Sequence, residues 1–393
     1  MLSRRTRRAL PRATKSAPLP EHKNNFDLIR LLAALQVLQV HAASALHLPT
    51  PAWLGFIVNQ LPGVPIFFLV SGYLVALSLL RGQGGAPSYF ARRALRIYPA
   101  LWINIGLIVV VLIVTGSLSL QVTSWRFDAW LAAALALGND IYPSFFFGKI
   151  VDPNGFYGTF PSGVLWTIPV ELGFYALLPL ILLKRQGGKI SSGWPILLFG
   201  AGSLALGVLL QYFKDVQPEA LATKLLVVTT PVYLWYFLIG TACAVYWPRL
   251  RTWFEGRLGF WLIIHFGFAL IDRLWLDDSP IDFHAMTPLL PPRILTLAGL
   301  VFSFAFTFRR TSACLKGTDI SYGVYLYHAP VIYTLVALHR QVDGLLWSEV
   351  LGPSVALALL SWFIVERPAL RMKAMTDRLL SSKPSEGAKR MRP

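Results

Sequence analysis

Charge is what this sequence is short of. Only 14% of its 393 residues are charged, against roughly 25% in ordinary soluble domains, and 19 are acidic against 36 Lys and Arg. With 55% hydrophobic residues, the chain cannot clothe a globule in polar surface, so it reads as a polytopic membrane protein. Two cysteines exclude a disulfide framework, and Cys243 and Cys314 are both expected on the cytoplasmic side. Metal-ligand spacing, a phosphate-cradling Gly-rich loop and a Gly-x-Ser-x-Gly elbow are all missing, which leaves metal chemistry, nucleotide hydrolysis and a Ser-His-Asp hydrolase without support. The net charge of +17 would suit nucleic acid, but the basic residues fall mainly in short segments between apolar runs, where they set topology. No nucleic acid is expected as a partner; the lipid bilayer is.

What the sequence has instead is a series of apolar runs near the 20 residues that a helix needs to cross hydrocarbon. The expected fold is all-α, with ten spans at about 26–46, 60–80, 97–116, 164–183, 194–212, 225–246, 258–271, 289–308, 319–338 and 346–366, and both termini cytoplasmic. The run at 125–138 is shorter and is expected to be interfacial or re-entrant. Were it a span, Lys184, Arg185, Lys189, Arg309 and Arg310 would move to the outer side, against the positive-inside rule. Asp272, Asp277, Asp278 and Asp282 are then expected in outer loops.

Residues 1–25 form a basic cytoplasmic tail with seven Lys and Arg and no apolar stretch, so no cleavable signal peptide is expected and the first span acts as anchor. The membrane domain covers 26–370, and 371–393 is a basic cytoplasmic tail expected to be disordered. The outer segment at 116–163 is rich in aromatics, among them Trp125, Trp130, Tyr142, Phe145, Phe146, Phe147, Tyr157 and Phe160. It reads either as an interfacial belt or as a sugar-stacking surface. No internal repeat is visible.

The first span carries Arg30 and His41 inside apolar sequence, where titratable groups are costly and mark function. Eleven residues apart, they return to one helical face about 16 Å from each other, lining one polar seam without touching. In the second span, GVPIFFLVSGYL, the pair Ser71 and Gly72 either permits close helix approach or offers a narrow surface to a ligand arm. In YFARRALRIYPALW, Arg93 and Arg96 share a helical face. They are either topology charges or a pair whose forks grip phosphate.

Glu171, among Trp166, Phe174 and Tyr175, needs a partner or a task. Ser321, Tyr325 and His328 fall on one face of the ninth span. Glu366 and Arg367 read as an ion pair or a helix end at the inner boundary.

Taken in order, these features resemble the acyltransferase 3 family of integral membrane O-acyltransferases. The resemblance rests on Arg30 with His41, FFLVSGYL, the Arg93-x-x-Arg96 pair before RIYP, the Trp166 to Pro179 block with Glu171, SYGVYLYHAP, and the closing Glu366 with Pro368. It covers about 26–370. It implies a ten-helix fold in the bacterial cytoplasmic membrane, in a stand-alone form without an SGNH domain. The implied reaction moves an acyl group, commonly acetyl, from acyl-CoA to a carbohydrate or glycolipid hydroxyl, as in O-antigen, exopolysaccharide, peptidoglycan, Nod factors or macrolides. Acyl-CoA is then a co-substrate, and no tightly bound cofactor or metal is implied.

Residues and resemblance meet in one expected mechanism. Arg93 and Arg96 bind the CoA phosphates on the cytoplasmic side, Arg30 extends that positive path, and the pantetheine arm runs past Ser71 and Gly72 toward His41. His41 acts as general base or as acyl carrier, with Glu171 or the face of Tyr325 and His328 orienting it or the acceptor, and Trp166 and Tyr325 contacting the acceptor. A transporter or flippase would use the same seam but needs two-sided access and no phosphate clamp, so the arginine pair favours the enzyme.

Overall fold

The computed structural model describes residues 24–81, 85–116, 125–138, 163–182, 193–217, 220, 223, 226, 229–275, 283–307, 311–315, 317–338 and 345–373. Expectations for most of both tails lie outside these residues. So do those for Tyr142, Phe145, Phe146, Phe147, Tyr157 and Phe160, for the basic clusters around Lys184 and Arg309, and for Asp277, Asp278 and Asp282.

Regular structure among the described residues is helical throughout. It comprises α1 (Phe26–Ala45), α2 (Ala52–Asn59), α3 (Gly63–Arg81), α4 (Gly85–Val114), α5 (Trp125–Leu137), α6 (Thr167–Ile181), α7 (Trp194–Val216), α8 (Thr230–Val245), α9 (Trp247–Phe254), α10 (Leu258–Trp275), α11 (Leu290–Thr307), a 3-10 turn (Thr311–Leu315), α12 (Ser321–Ala337) and α13 (Leu346–Ser361), then a π-helical turn (Trp362–Glu366) and α14 (Arg367–Arg371). Every expected span falls on a helix. By length and composition, six helical runs can cross a bilayer, and a seventh joins them if α9 and α10, bent by 77°, form one broken span. Helices α6, α8 and α12, with 15, 16 and 17 residues, are shorter than a hydrocarbon core requires of a straight helix.

The run at 125–138 forms the 13-residue helix α5, too short to span. It lies on α4, where Tyr98 Oη donates to the Ala136 carbonyl at 2.7 Å and Trp102 Nε1 donates to that of Leu135 at 3.0 Å. Trp130 is fully buried there.

Apolar side chains on α7 and α10 face outward, Leu197 and Ile263 each 75% exposed, as lipid-facing helices require. Between helices in lipid, attraction comes from close packing at small residues rather than from water exclusion. Gly72 in α3 and Gly240 in α8 supply it reciprocally: a Cβ on Gly72 would lie 2.0 Å from the Phe237 carbonyl oxygen, and one on Gly240 2.0 Å from that of Leu69. Gly72 is therefore a helix contact and does not face the cavity described below.

Asp272, expected in an outer loop, is instead buried within α10 and paired with Arg293 of α11 at 3.0 Å. Arg293 also donates to Gln60 Oε1 at 3.0 Å. From α1, Gln36 donates to the Val58 carbonyl and accepts from the Gly63 amide. The break between α2 and α3 is thus held from two sides, and it sets where α3 enters the bundle.

Candidate functional site

Helix α12 starts after Asp319, whose Oδ1 accepts from the Ser321 amide at 3.3 Å and from Ser321 Oγ at 2.6 Å, satisfying a donor that a helix N-terminus leaves open. The other oxygen, Oδ2, receives Arg30 Nη2 at 2.9 Å and Arg96 Nη2 at 2.7 Å. One carboxylate thereby joins α1, α4 and α12, with the three side chains only 17%, 17% and 11% exposed. Sequence reasoning singled out both arginines and missed the aspartate between them. Its only local signal is an acid two residues before a serine that opens an apolar helix.

Arg93 stands apart from that ion pair. Its guanidinium lies over the rings of Tyr89 and Tyr175, at 5.8 and 5.6 Å from their centroids, and its buried Nε has no hydrogen-bond partner. Among the described residues it has no carboxylate partner. Glu171 accepts from Ser71 Oγ at 3.0 Å and from the Tyr175 hydroxyl, so the expected partner for this intramembrane acid is a hydroxyl pair. Tyr89 Oη in turn donates to the Tyr175 carbonyl at 3.1 Å.

Arg30, Arg93, Arg96, Ser71, Glu171 and Tyr325 all line one cavity of about 110 Å³ enclosed by α1, α3, α4, α6 and α12. Cross-helix contacts give it an axis. At one end Arg93 meets Tyr175 and Arg96 meets Tyr322; Ser71 and Glu171 bond across its middle. At the other end the Tyr325 hydroxyl is 2.9 Å from Thr167 Oγ1 and donates to the Val164 carbonyl at 3.2 Å.

Beyond Tyr325 stands a histidine pair. The Tyr325 and His328 rings are 6.2 Å apart, and His41 Nδ1 lies 3.1 Å from His328 Nε2. His328 Nδ1 lies 3.0 Å from the Val324 carbonyl, which can only accept, so that nitrogen carries a proton. With both rings neutral, His328 Nε2 accepts from the Nδ1–H of His41, and the lone pair of His41 is left on Nε2. Burial of the fully enclosed His328 makes this hydrogen bond costly to break. Neither histidine is part of the cavity wall; Tyr325 lines it and packs its ring against His328.

Trp166 is elsewhere. Its ring packs on Tyr233 and His284 at 5.2 Å from each, in an aromatic cluster at the N-terminal ends of α6 and α8. Glu366 ends the π-helical turn and precedes α14, as a helix end would, and is not an ion partner of the exposed Arg367. It is buried in the π-helical turn, where Ser361 Oγ donates to its Oε1 at 3.1 Å and Tyr327 Oη donates to Ser361 Oγ at 2.9 Å. Among the described residues no cluster of three or more His, Cys, Asp or Glu could hold a metal ion.

The family described as an acyltransferase domain matches residues 23–366. The chain is 37% identical to Nodulation protein 10 of Rhizobium leguminosarum bv. viciae, over 90% of this chain and 94% of that protein. It is 25% identical to an O-acetyl transferase of Shigella phage Sf6, over 88% of this chain and 96% of that protein. Identity to a putative membrane-bound transacylase, BcsY, of Komagataeibacter xylinus is 26%, over 88% and 83% respectively. No solved structure matches the chain.

Proposed function

The chain belongs to the acyltransferase 3 family, and from that premise we propose that it moves an acyl group, acetyl in the first instance, from acyl-CoA on the cytoplasmic side to a carbohydrate or glycolipid hydroxyl on the outer side. It is a membrane acyltransferase; the donor, the acceptor, the sidedness and a bacterial cytoplasmic membrane as its site are the proposal. The observation that carries it is the cavity that runs from three arginines toward a paired histidine. Arg30 and Arg96 are engaged by Asp319, and Arg30 also by Asp27 at 3.8 Å, so it is Arg93, with no carboxylate partner among the described residues, that offers its charge most directly to the phosphates of CoA. The arm beyond those phosphates is thin enough to pass Ser71 and Glu171.

In the transfer step the acceptor hydroxyl gives its proton to His41 Nε2 while its oxygen bonds to the thioester carbon. The C–S bond breaks, the CoA sulfur leaves as thiolate, and the imidazolium returns the proton to it. His328 keeps the reactive nitrogen of His41 in the basic tautomer, the role of a third group that orients a base. Relatives named as an O-acetyl transferase and a putative transacylase support the choice of reaction.

Mass spectrometry of surface glycans from cells with the intact chain, with His41→Ala and without the chain tests this reading. A mass gain of one acyl group confined to the intact chain is expected. Glycans identical in all three would overturn it.

A further inference from the structure

We infer that the cavity end between Phe67 and Tyr325 is the seat of the acyl group, and that this seat takes a short uncharged acyl chain and rejects longer and dicarboxylic ones. The inference rests on the acyl-CoA reading above. It adds which donors are used and which side chain decides.

The axis of the cavity supplies the first step. A donor whose phosphates sit on Arg93, Arg96 and Arg30 can carry only its acyl end past the Ser71 and Glu171 bridge, toward the level where Tyr325 adjoins the histidines. At that level the wall is apolar and stiff. Phe67 sets its ring edge-on to Tyr325, with centroids 5.3 Å apart and planes at 71°. Phe68 is braced by Phe174 at 5.1 Å and 90°, and Val64 and Ile168 are 7% and 1% exposed. Tyr325 cannot turn aside without losing its contacts to Thr167 and Val164. Packed walls of this kind do not yield to an added methylene without strain.

Charge supplies the second step. The guanidiniums of the cavity lie at its opposite end, and both ring nitrogens of His328 are engaged, by Val324 and by His41. A carboxylate at the tip of an acyl chain would shed its water beside Phe67 and Phe68 and, among the described residues, find no Lys or Arg at that end in return, a costly transfer. An acetyl group asks for neither space nor charge there. Phe67 is half-buried, has no polar atom to lose and reaches the cavity from α3, so its size sets the depth of the seat.

The test uses the detergent-purified full chain and competition of labelled CoA by CoA, acetyl-CoA, butyryl-CoA and succinyl-CoA. One methylene in an apolar pocket is worth roughly tenfold to two-hundredfold, so butyryl-CoA is expected to bind at least about tenfold more weakly than acetyl-CoA, with succinyl-CoA at least as weak. Phe67→Ala is expected to recover most of that loss for butyryl-CoA and not for succinyl-CoA, each expressed relative to free CoA in the same variant. Phe67→Leu keeps an apolar wall of smaller size and is expected to recover part, which preserves the test where Phe67→Ala fails to fold. Equal affinities for the three acyl donors in the unchanged chain, or equal recovery of butyryl-CoA and succinyl-CoA in the Phe67 variants, would overturn the seat and leave the donor reading standing. Failure of the unchanged chain to bind CoA at all would overturn the donor reading and the seat with it.

Discussion

His41 Nδ1 lies 3.1 Å from His328 Nε2, to which it donates when both rings are neutral, and His328 is itself held through Nδ1 by the carbonyl of Val324 one turn back on α12. The pair suits the two rings to different roles, His41 as base and His328 as the group that orients it. His41→Ala is expected to lower kcat by about 10²–10⁴, the usual worth of a general base. His328→Ala should lower kcat with little change in donor KM, because it removes the hydrogen bond that selects the tautomer and leaves the arginines in place. His328→Gln offers an amide oxygen to His41 Nδ1–H and should retain more activity than His328→Ala. Release of free CoA at saturating donor measures this, and a His328→Ala enzyme with unchanged kcat would show that the pairing is irrelevant to catalysis.

The arginines should not behave alike, because Arg30 and Arg96 share Asp319 while Arg93 lies over the rings of Tyr89 and Tyr175 and has no carboxylate partner among the described residues. Arg93→Ala should weaken CoA about tenfold to a hundredfold, the loss of one charge-assisted hydrogen bond, with little effect on folding. Arg93→Lys should restore only part, since a point charge lacks the fork. Asp319→Ala should instead cost stability, on the order of 3–5 kcal/mol, by leaving two guanidiniums together without their carboxylate. Calorimetric titration with CoA and thermal unfolding in detergent distinguish the two effects. Unchanged CoA affinity in Arg93→Ala would reduce Arg93 to a topology charge.

Gly72→Ala provides a contrast, since it stands beside Ser71 in sequence but against the Phe237 carbonyl in space. A methyl group there must push α3 off α8, and overpacking of this kind costs about 1–3 kcal/mol. The expected outcome is a lower unfolding temperature with CoA affinity intact in the folded fraction. A variant of normal stability that has lost CoA binding would return Gly72 to the donor path.

These distinctions explain how much could be read before the chain was folded. Helices were legible because apolar length in a bilayer is a local property, so each expected span falls on a helix. Arg30, His41 and His328 were legible because a titratable group in an apolar run is conspicuous. Their partners were not. Arg96 and Asp319 are 223 residues apart, and His41 and His328 are 287 apart. No periodicity links positions so distant, and a lone Asp before a helix looks like a loop residue. Asp272 was misplaced for the same reason: beside other acids it reads as an outer loop, and only Arg293 on the next helix makes it a buried member of α10. Ser71 and Gly72 show the complementary limit, in which two neighbours on one helix turn to different faces and take different roles.

The last prediction concerns the two sides of the membrane. Helices α1 and α12 are tied twice, at Arg30 with Asp319 and at His41 with His328. The ties occur in the same order along both chains, so the helices run parallel and the seam between them has a cation end and a histidine end. On α1 those ends are about 16 Å apart at 1.5 Å per residue. On the proposed topology, with Phe26 at the cytoplasmic boundary, His41 is fifteen residues further along, roughly 22 Å into a hydrocarbon core of about 30 Å. An outer hydroxyl therefore needs only a shallow entry to reach it, whereas a cytoplasmic thioester needs a long thin arm, which pantetheine provides. In sealed vesicles of known orientation, acyl-CoA supplied on the face carrying Arg93 and Arg96 should acylate an acceptor confined to the other face, with free CoA appearing only on the side of supply. Transfer that occurs only when both substrates share the cytoplasmic face would refute the through-membrane path while leaving His41 as the base, because nothing in the histidine pair depends on where the acceptor enters.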